Sequence, residues 1–187
     1  MKVRCSWVGS LPLMVEYHDT EWGVPVRDDL KLFEFLVLDS FQAGLSWEIT
    51  LKKREGFKKA FHNFNPKKIV KFTSKDVERL MLDASIIRNR LKIESTISNA
   101  QAFFDIVKEF GSFNKYIWQF TKHSTIKNKF KSMKQIPSTS KESDAMSKDM
   151  KKRGFRFVGS TICYAFMQGA GLVNDHTTDC FRYKQIK

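Results

Sequence analysis

Apolar residues recur every three or four positions through most of the chain after Asp28, the period of a helix with one buried face. Leu32, Phe33, Leu36, Val37 and Phe41 share such a face. A helix capped by Asp28 or Asp29 is predicted there, breaking at Gly44, with a second helix over 46–61. Asn65-Pro66 reads as an N-cap followed by proline at the first helical position, and Thr73 with Asp76 as a capping pair. The longest helix is predicted from about Ile86 to Phe110, where Ile93, Ile97, Ala100, Phe104 and Val107 form an apolar stripe and Gly111 supplies the stop. Ser112 is placed to cap a short aromatic helix through Tyr116, Trp118 and Phe120. The polar, basic stretch 121–140 lacks a period and reads as a mobile surface loop. No segment alternates convincingly enough to be a strand, so the expected class is all-α.

Toward the C-terminus, Thr139 and Glu142 are predicted to form a capping box for a helix carrying Met146 and Met150 and ending at Lys151-Lys152-Arg153-Gly154. After Phe155 to Gly159, Ser160 is predicted to cap a second helix through Ile162, Tyr164, Phe166 and Met167. This is a helix, a glycine-bounded hairpin and a helix. A helix N-terminus reached through Gly159 offers free backbone N–H groups, and Arg153 and Arg156 add charge, so a DNA phosphate fits there. An ordinary corner between two helices would carry the same glycines.

Charge sharpens the picture. The chain has 33 Lys and Arg against 20 Asp and Glu, a formal net charge of +13 that suits a polyanionic partner, although a solvated lysine-rich surface gives the same number. No apolar run approaches a membrane span, and the basic runs do not form an amphipathic helix facing lipid. The first residues lack the apolar core of a secretion signal, and three cysteines, an odd count, agree with a reducing cytoplasm. With 187 residues the chain is expected to act as one unit, 1–187, with a core that needs no metal merely to fold. Nothing resembles a coiled-coil seam, so a monomer is expected.

Two groups of residues carry candidate chemistry. Cys5 and His18 near the start and His176 and Cys180 near the end together make a complete tetrahedral zinc set, although four such residues this far apart are often unrelated. Trp7, Tyr17, Trp22 and Trp47 surround Asp39 in sequence, and three of the four tryptophans fall within the first 47 residues. Tryptophans more often build core, and an aspartate at a helix end is more often a cap. A carboxylate framed by indoles nevertheless suits a flat, cationic base, held by stacking, cation–π attraction and a hydrogen bond to the acid.

The segments RCSWV, YHDTEWGVPVRDD, FQAGLSWEITLKKRE, DVERLMLDASIIRNRLKI and KKRGFRFVGSTICYAFMQGAGLVNDH, in this order and spacing, together resemble the 3-methyladenine DNA glycosylase I family over nearly the whole chain. The resemblance implies a helix-hairpin-helix DNA glycosylase fold, with the hairpin unit around 141–170. It also implies a structural zinc joining Cys5 and His18 to His176 and Cys180, and excision of N3-methyladenine from double-stranded DNA. Trp7, Tyr17, Trp22 and Trp47 match the base pocket, with Trp47 the stacking residue. Gly44 and Leu45 match the loop that enters the duplex, and Gly154, Arg156, Gly159 and Ser160 the DNA-anchoring hairpin. Cys163 matches an apolar helix position and is expected to be buried and inert.

Two positions depart from the family pattern. The pocket acid, typically Glu, is Asp39, about 1.5 Å shorter at full extension. A position often held by Tyr is Met14, which keeps an apolar contact without a hydroxyl. The resemblance further implies hydrolysis without a strong general acid and without lyase activity, since N3-methylation already makes the purine a good leaving group. A non-enzymatic, zinc-stabilised helix-hairpin-helix DNA-binding module is the rival reading, and it leaves the clustered indoles unexplained. A zinc hydrolase would need an open metal position, which four protein ligands fill.

Overall fold

A computed structural model describes residues 2–186; the two end residues of the expected 1–187 unit lie outside it. Ten helices, α1 (Pro12–Thr20), α2 (Asp29–Gln42), α3 (Trp47–Lys52), α4 (Arg54–Ala60), α5 (Pro66–Ile69), α6 (Ser74–Leu82), α7 (Arg90–Phe110), α8 (Phe113–Trp118), α9 (Lys141–Lys152) and α10 (Ser160–Gly169), account for most of the described chain. No helix among the described residues is long and apolar enough to cross a membrane.

The centre of the molecule is α2. Asp28 caps it by accepting from Lys31 N at 2.8 Å, and every residue from Leu32 to Phe41 is buried. A helix buried all round needs neighbours on every side. α3, α7, α8 and α10 pack against it. Burial also forces its polar residues to find partners. Glu34 accepts from Arg54 Nε at 2.7 Å, and Ser40 Oγ donates to the carbonyls of Leu36 and Phe157. Asp39 Oδ2 has no partner.

The open end of α2 is closed by a distant lysine. Lys92, 5% exposed in the first turn of α7, donates from Nζ to Phe41 O at 2.8 Å and Ala43 O at 2.6 Å. A cation placed on the last carbonyls of a helix satisfies orphan acceptors and complements the helix dipole. It also fixes the start of the Gly44–Leu45 turn.

Several sequence expectations are corrected. The segment 46–61 is two helices, α3 and α4, because Lys53 (φ −96°, ψ 0°) leaves the helical path and lets Arg54 turn inward to the half-buried carboxylate of Glu21 and the buried one of Glu34. The long helix begins at Arg90, capped by Asn89, rather than at Ile86. Its C-terminal stop is Gly111, in the left-handed region at φ 81°. Phe120 lies in a 3-10 turn, Gln119–Thr121, beyond α8. The capping box of α9 is Ser140 with Ser143, not Thr139 with Glu142; Ser143 closes the box and also reaches Ser160 Oγ at 2.8 Å, linking α9 to α10. The N-cap of α10 is Gly159, and the Ser160 side chain bonds Ser143 and Asp144 instead.

The segment 121–140 holds β1 (Ile126–Lys127), which pairs in parallel with β2 (Val173–Asn174), Ile126 opposite Val173, the one pair of short strands among the described residues. Thr125 Oγ1 donating to Gly171 O and Thr178 N donating to Phe130 O extend the attachment. Two residues per strand give too little alternation for a sequence pattern to reveal. The stretch read as a mobile loop is therefore a strap laced to the C-terminal segment.

Candidate functional site

One cavity of about 170 Å3 collects the aromatic residues of the chain's front. The 3-10 turn Ser6–Val8 supplies Trp7; α1, started by Pro12 at its first position, supplies Tyr17, and Trp22 follows it. Asp39 and Gln42 come from α2, one turn apart and so on one face. Trp47 opens α3 behind its cap Ser46, Ala165 and Gln168 come from α10, and Met133 comes from the strap. Trp7 meets Trp22 edge-on at 5.0 Å between centroids, and Tyr17 meets Trp47 at 5.1 Å. Met14 is buried and lies outside the lining set.

The polar atoms of this cavity are unusual. Trp7 Nε1, Trp47 Nε1 and Asp39 Oδ2 are buried without hydrogen-bond partners. Native interiors pair nearly all such atoms, so three orphans among the residues lining one cavity make it the candidate site for a polar ligand. Burial pushes the Asp39 carboxyl well above the usual carboxylate range. Burial, followed by the Asp39 charge, pushes the Tyr17 phenol up as well. A cation entering the cavity reverses the balance for Asp39, since an opposite charge nearby favours the ionised form.

The four sequence-predicted metal ligands come together. Cys5, His18, His176 and Cys180 are all buried, and their ligand atoms lie within 4.8 Å of one another, a group that could hold a metal ion. His176 Nδ1 is 3.6 Å from Cys5 Sγ and 3.5 Å from Cys180 Sγ, and His18 Nε2 is 3.5 Å from Cys180 Sγ. The outer nitrogens are taken: His18 Nδ1 pairs with Asp19 Oδ1 at 2.8 Å and His176 Nε2 with Trp22 O at 3.0 Å. Each ring thus turns its other nitrogen toward the thiols, the arrangement that metal-ligating imidazoles adopt. Burial pushes the Cys5 thiol up to about 12 and His176 down to about 4.

Cluster and cavity share walls. Trp22 lies 4.6 Å from the His176 ring and 6.1 Å from that of His18, and Trp7 lies 5.5 Å from His18. Cys163 is separate, fully buried, donating to Val158 O at 3.4 Å, with its thiol pushed up to about 12 by burial.

The hairpin between α9 and α10 is braced from three sides. Asn99 bonds both the N–H and the carbonyl of Arg156, Ser40 bonds Phe157 O, and Ser147 bonds Val158 O. These hold Phe157 at φ 55°, a region β-carbon residues rarely occupy. Arg156 is exposed with no side-chain partner among the described residues. Arg153, expected to serve a phosphate, is instead spent on Glu109 and Asp149, with Nη1 2.6 Å from Glu109 and Nε 2.7 Å from Asp149. Gly159 has φ −60° and ψ 157°, and a Cβ there would meet nothing within 4 Å. Neither backbone nor packing within the protein requires glycine at that position. Gly44, at φ 79°, and Leu45, 40% exposed, project between the cavity residues Gln42 and Trp47.

Sequence reasoning missed Gln42, Ala165, Gln168, Met133 and Lys92. Gln42 was within reach, since it lies three residues after Asp39 on one helix face. Met133 sits in the segment without periodicity, and Lys92 read as one lysine among many.

The methyladenine glycosylase family model matches residues 7–183. DNA-3-methyladenine glycosylase 1 of Escherichia coli (strain K12) is 48% identical over 180 residues, covering 96% of each chain. A crystal structure of 3-methyladenine DNA glycosylase I superposes with a TM-score of 0.94 at 49% identity, over 96% of this chain and 98% of the other. A tyrosine-to-phenylalanine variant of such an enzyme, in complex with 3-methyladenine, superposes with a TM-score of 0.93 at 33% identity, over 95% of this chain and 96% of the other. With its fold and nearly its whole length matched, this chain belongs to the methyladenine glycosylase family.

Proposed function

We propose that this chain is a monofunctional DNA repair glycosylase that flips N3-methyladenine out of double-stranded DNA and hydrolyses its N-glycosidic bond, leaving an abasic site. The observation that carries the reading is the aromatic cavity with one buried, unpaired carboxylate, Asp39. Methylation at N3 puts positive charge on the purine, so the base departs readily as the sugar takes on oxocarbenium character and water attacks it. The cavity then selects rather than forces. Indole and phenol faces attract the cation, and Asp39, disfavoured as an anion when alone, gains an ionic partner only when the base is charged. Neutral adenine gains neither benefit, and an unstacked, damaged base is cheaper to flip. The lining residues include no lysine, consistent with hydrolysis without a Schiff base.

DNA is held by two elements in this reading. The free N–H groups at the start of α10 and Arg156 receive a phosphate where Gly159 leaves the surface open, and Leu45 fills the gap left by the flipped base. Gly159 lies roughly 13 Å along the helix from Gln168 in the cavity, a span that α10 keeps rigid.

The Cys and His cluster is proposed to hold a structural zinc. A tetrahedral zinc with ordinary bond lengths sets a thiolate sulfur and an imidazole nitrogen about 3.6 Å apart, which the 3.5–3.6 Å separations match. Four protein donors leave no open position, so the metal supplies attachment rather than chemistry. Its role is to hold Trp7 and Trp22 through the histidines they pack against.

Chromatography of bases released from methylated duplex DNA tests the reading. Release of 3-methyladenine is expected, lost in Asp39→Asn and retained in Asp39→Glu. Equal release by wild type and Asp39→Asn refutes the role of the acid, and a borohydride-trapped DNA adduct refutes the monofunctional assignment.

A further inference from the structure

We infer that Gln168 determines specificity, held by Asp175 so that its amide oxygen faces the cavity and reads the amino group at C6 of the purine. This rests on the base-pocket reading above.

Asp175 is 1% exposed, just beyond β2, and three side chains, one from the strap and two from α10, converge on its carboxylate. Asn128 Nδ2 donates to Oδ1 at 2.7 Å, while Tyr164 Oη at 2.7 Å and Gln168 Nε2 at 2.8 Å donate to Oδ2. A carboxylate accepts only, so the Gln168 amide must turn its NH2 toward Asp175; the flipped amide would set oxygen against oxygen. Gln168 Oε1 then has no partner in the described chain and is not among the buried orphan atoms, while Gln168 lines the cavity. The backbone carbonyl of Gln168 is occupied separately by Gly23 N at 3.0 Å. What the residue presents to a ligand is a fixed acceptor.

A fixed acceptor separates the two purines at C6. Adenine carries an amino group there with two N–H donors, enough for Asp39 and Gln168 to take one each. Guanine carries a carbonyl, which would face Oε1 as acceptor against acceptor. Methylation at N3 makes both bases cationic, so attraction to the aromatic walls and Asp39 does not by itself tell 3-methyladenine from 3-methylguanine. A site built to hydrogen-bond one group rejects the analogue that leaves its polar atoms unpaired.

The test measures single-turnover release of 3-methyladenine and 3-methylguanine from the same methylated duplex by wild type, Gln168→Met and Asp175→Asn. Methionine keeps the volume and flexibility of glutamine without the amide. Wild type is expected to favour 3-methyladenine, and Gln168→Met to lower that preference about tenfold, the loss of one hydrogen bond, chiefly through slower adenine release. Asp175→Asn frees the amide to rotate and is expected to shift the ratio further toward guanine. A residue that only supported the fold would slow both releases together. An unchanged ratio in a Gln168→Met protein with wild-type melting, or a wild-type ratio near one, overturns the inference. If Asp175→Asn does not fold, Gln168→Met decides alone. If wild type releases neither base, the glycosylase reading fails, and tryptophan quenching by the two free bases still gives the ratio that decides Gln168.

Discussion

Lys92→Met removes one ammonium whose two hydrogen bonds close the end of the central helix. Nζ serves Phe41 O at 2.8 Å in a buried setting and Ala43 O at 2.6 Å where water has partial access. Hydrogen bonds from a charged donor contribute about 1.5–3 kcal/mol each, and only the Ala43 carbonyl can recover a partner from solvent. Burial lowers the Lys92 pKa, so relief of the buried cation offsets part of the loss. The net expectation is about 2–3 kcal/mol, a fall of about 5–10 °C in Tm for a chain of this size. Urea titration at constant slope checks the stability, and hydrogen exchange at Gly44 and Leu45 checks the loop, whose amides should exchange faster. Excision should slow more than free-base binding weakens if the loop acts in flipping as proposed. A loss below 0.5 kcal/mol with unchanged exchange at Gly44 would refute the role of Lys92 in holding the loop.

Three further outcomes are expected. Burial raises the Asp39 pKa, so the folded state holds that proton more tightly than the unfolded chain; stability should fall as pH rises from about 4 through the raised value, and urea midpoints of Asp39→Asn should lose that slope. Chelation or His176→Ala should lower Tm first and shift tryptophan emission as Trp7 and Trp22 loosen, whereas a metal-free protein that kept its melting point and pocket would contradict the clasp. Gly159→Asp places a good helix cap in open space, so melting should hold or rise while DNA affinity falls at least about tenfold; retained affinity would remove the phosphate from that site.

How much of this was legible in the sequence depended on the range of the signal. α2 and α7 carry long apolar periods and strong caps, and both were readable within a few residues. The Ile86 start failed because Asn89 caps more effectively than the apolar residues before it suggest. The Ser140 and Ser143 box lost to Thr139 and Glu142 on residue type, though Ser143 does more by also joining Ser160. Cys5, His18, His176 and Cys180 were visible as a set because thiols and imidazoles are few. Their convergence depends on contacts spanning more than 150 residues, the Lys92 bond to Phe41 spans 51, and no local pattern encodes such pairs. Arg153 illustrates the converse: its place beside the hairpin was readable, its capture by Glu109, 44 residues away, was not.

The central claim is tested most directly by incubating wild type and Asp39→Asn with methylated duplex DNA and separating the released bases, with 7-methylguanine as the selectivity control. The account predicts that wild type releases 3-methyladenine and little 7-methylguanine, and that Asp39→Asn binds the DNA yet releases neither. Tight binding of methylated DNA by wild type with no free base released would contradict it and leave a zinc-stabilised DNA-binding module in its place.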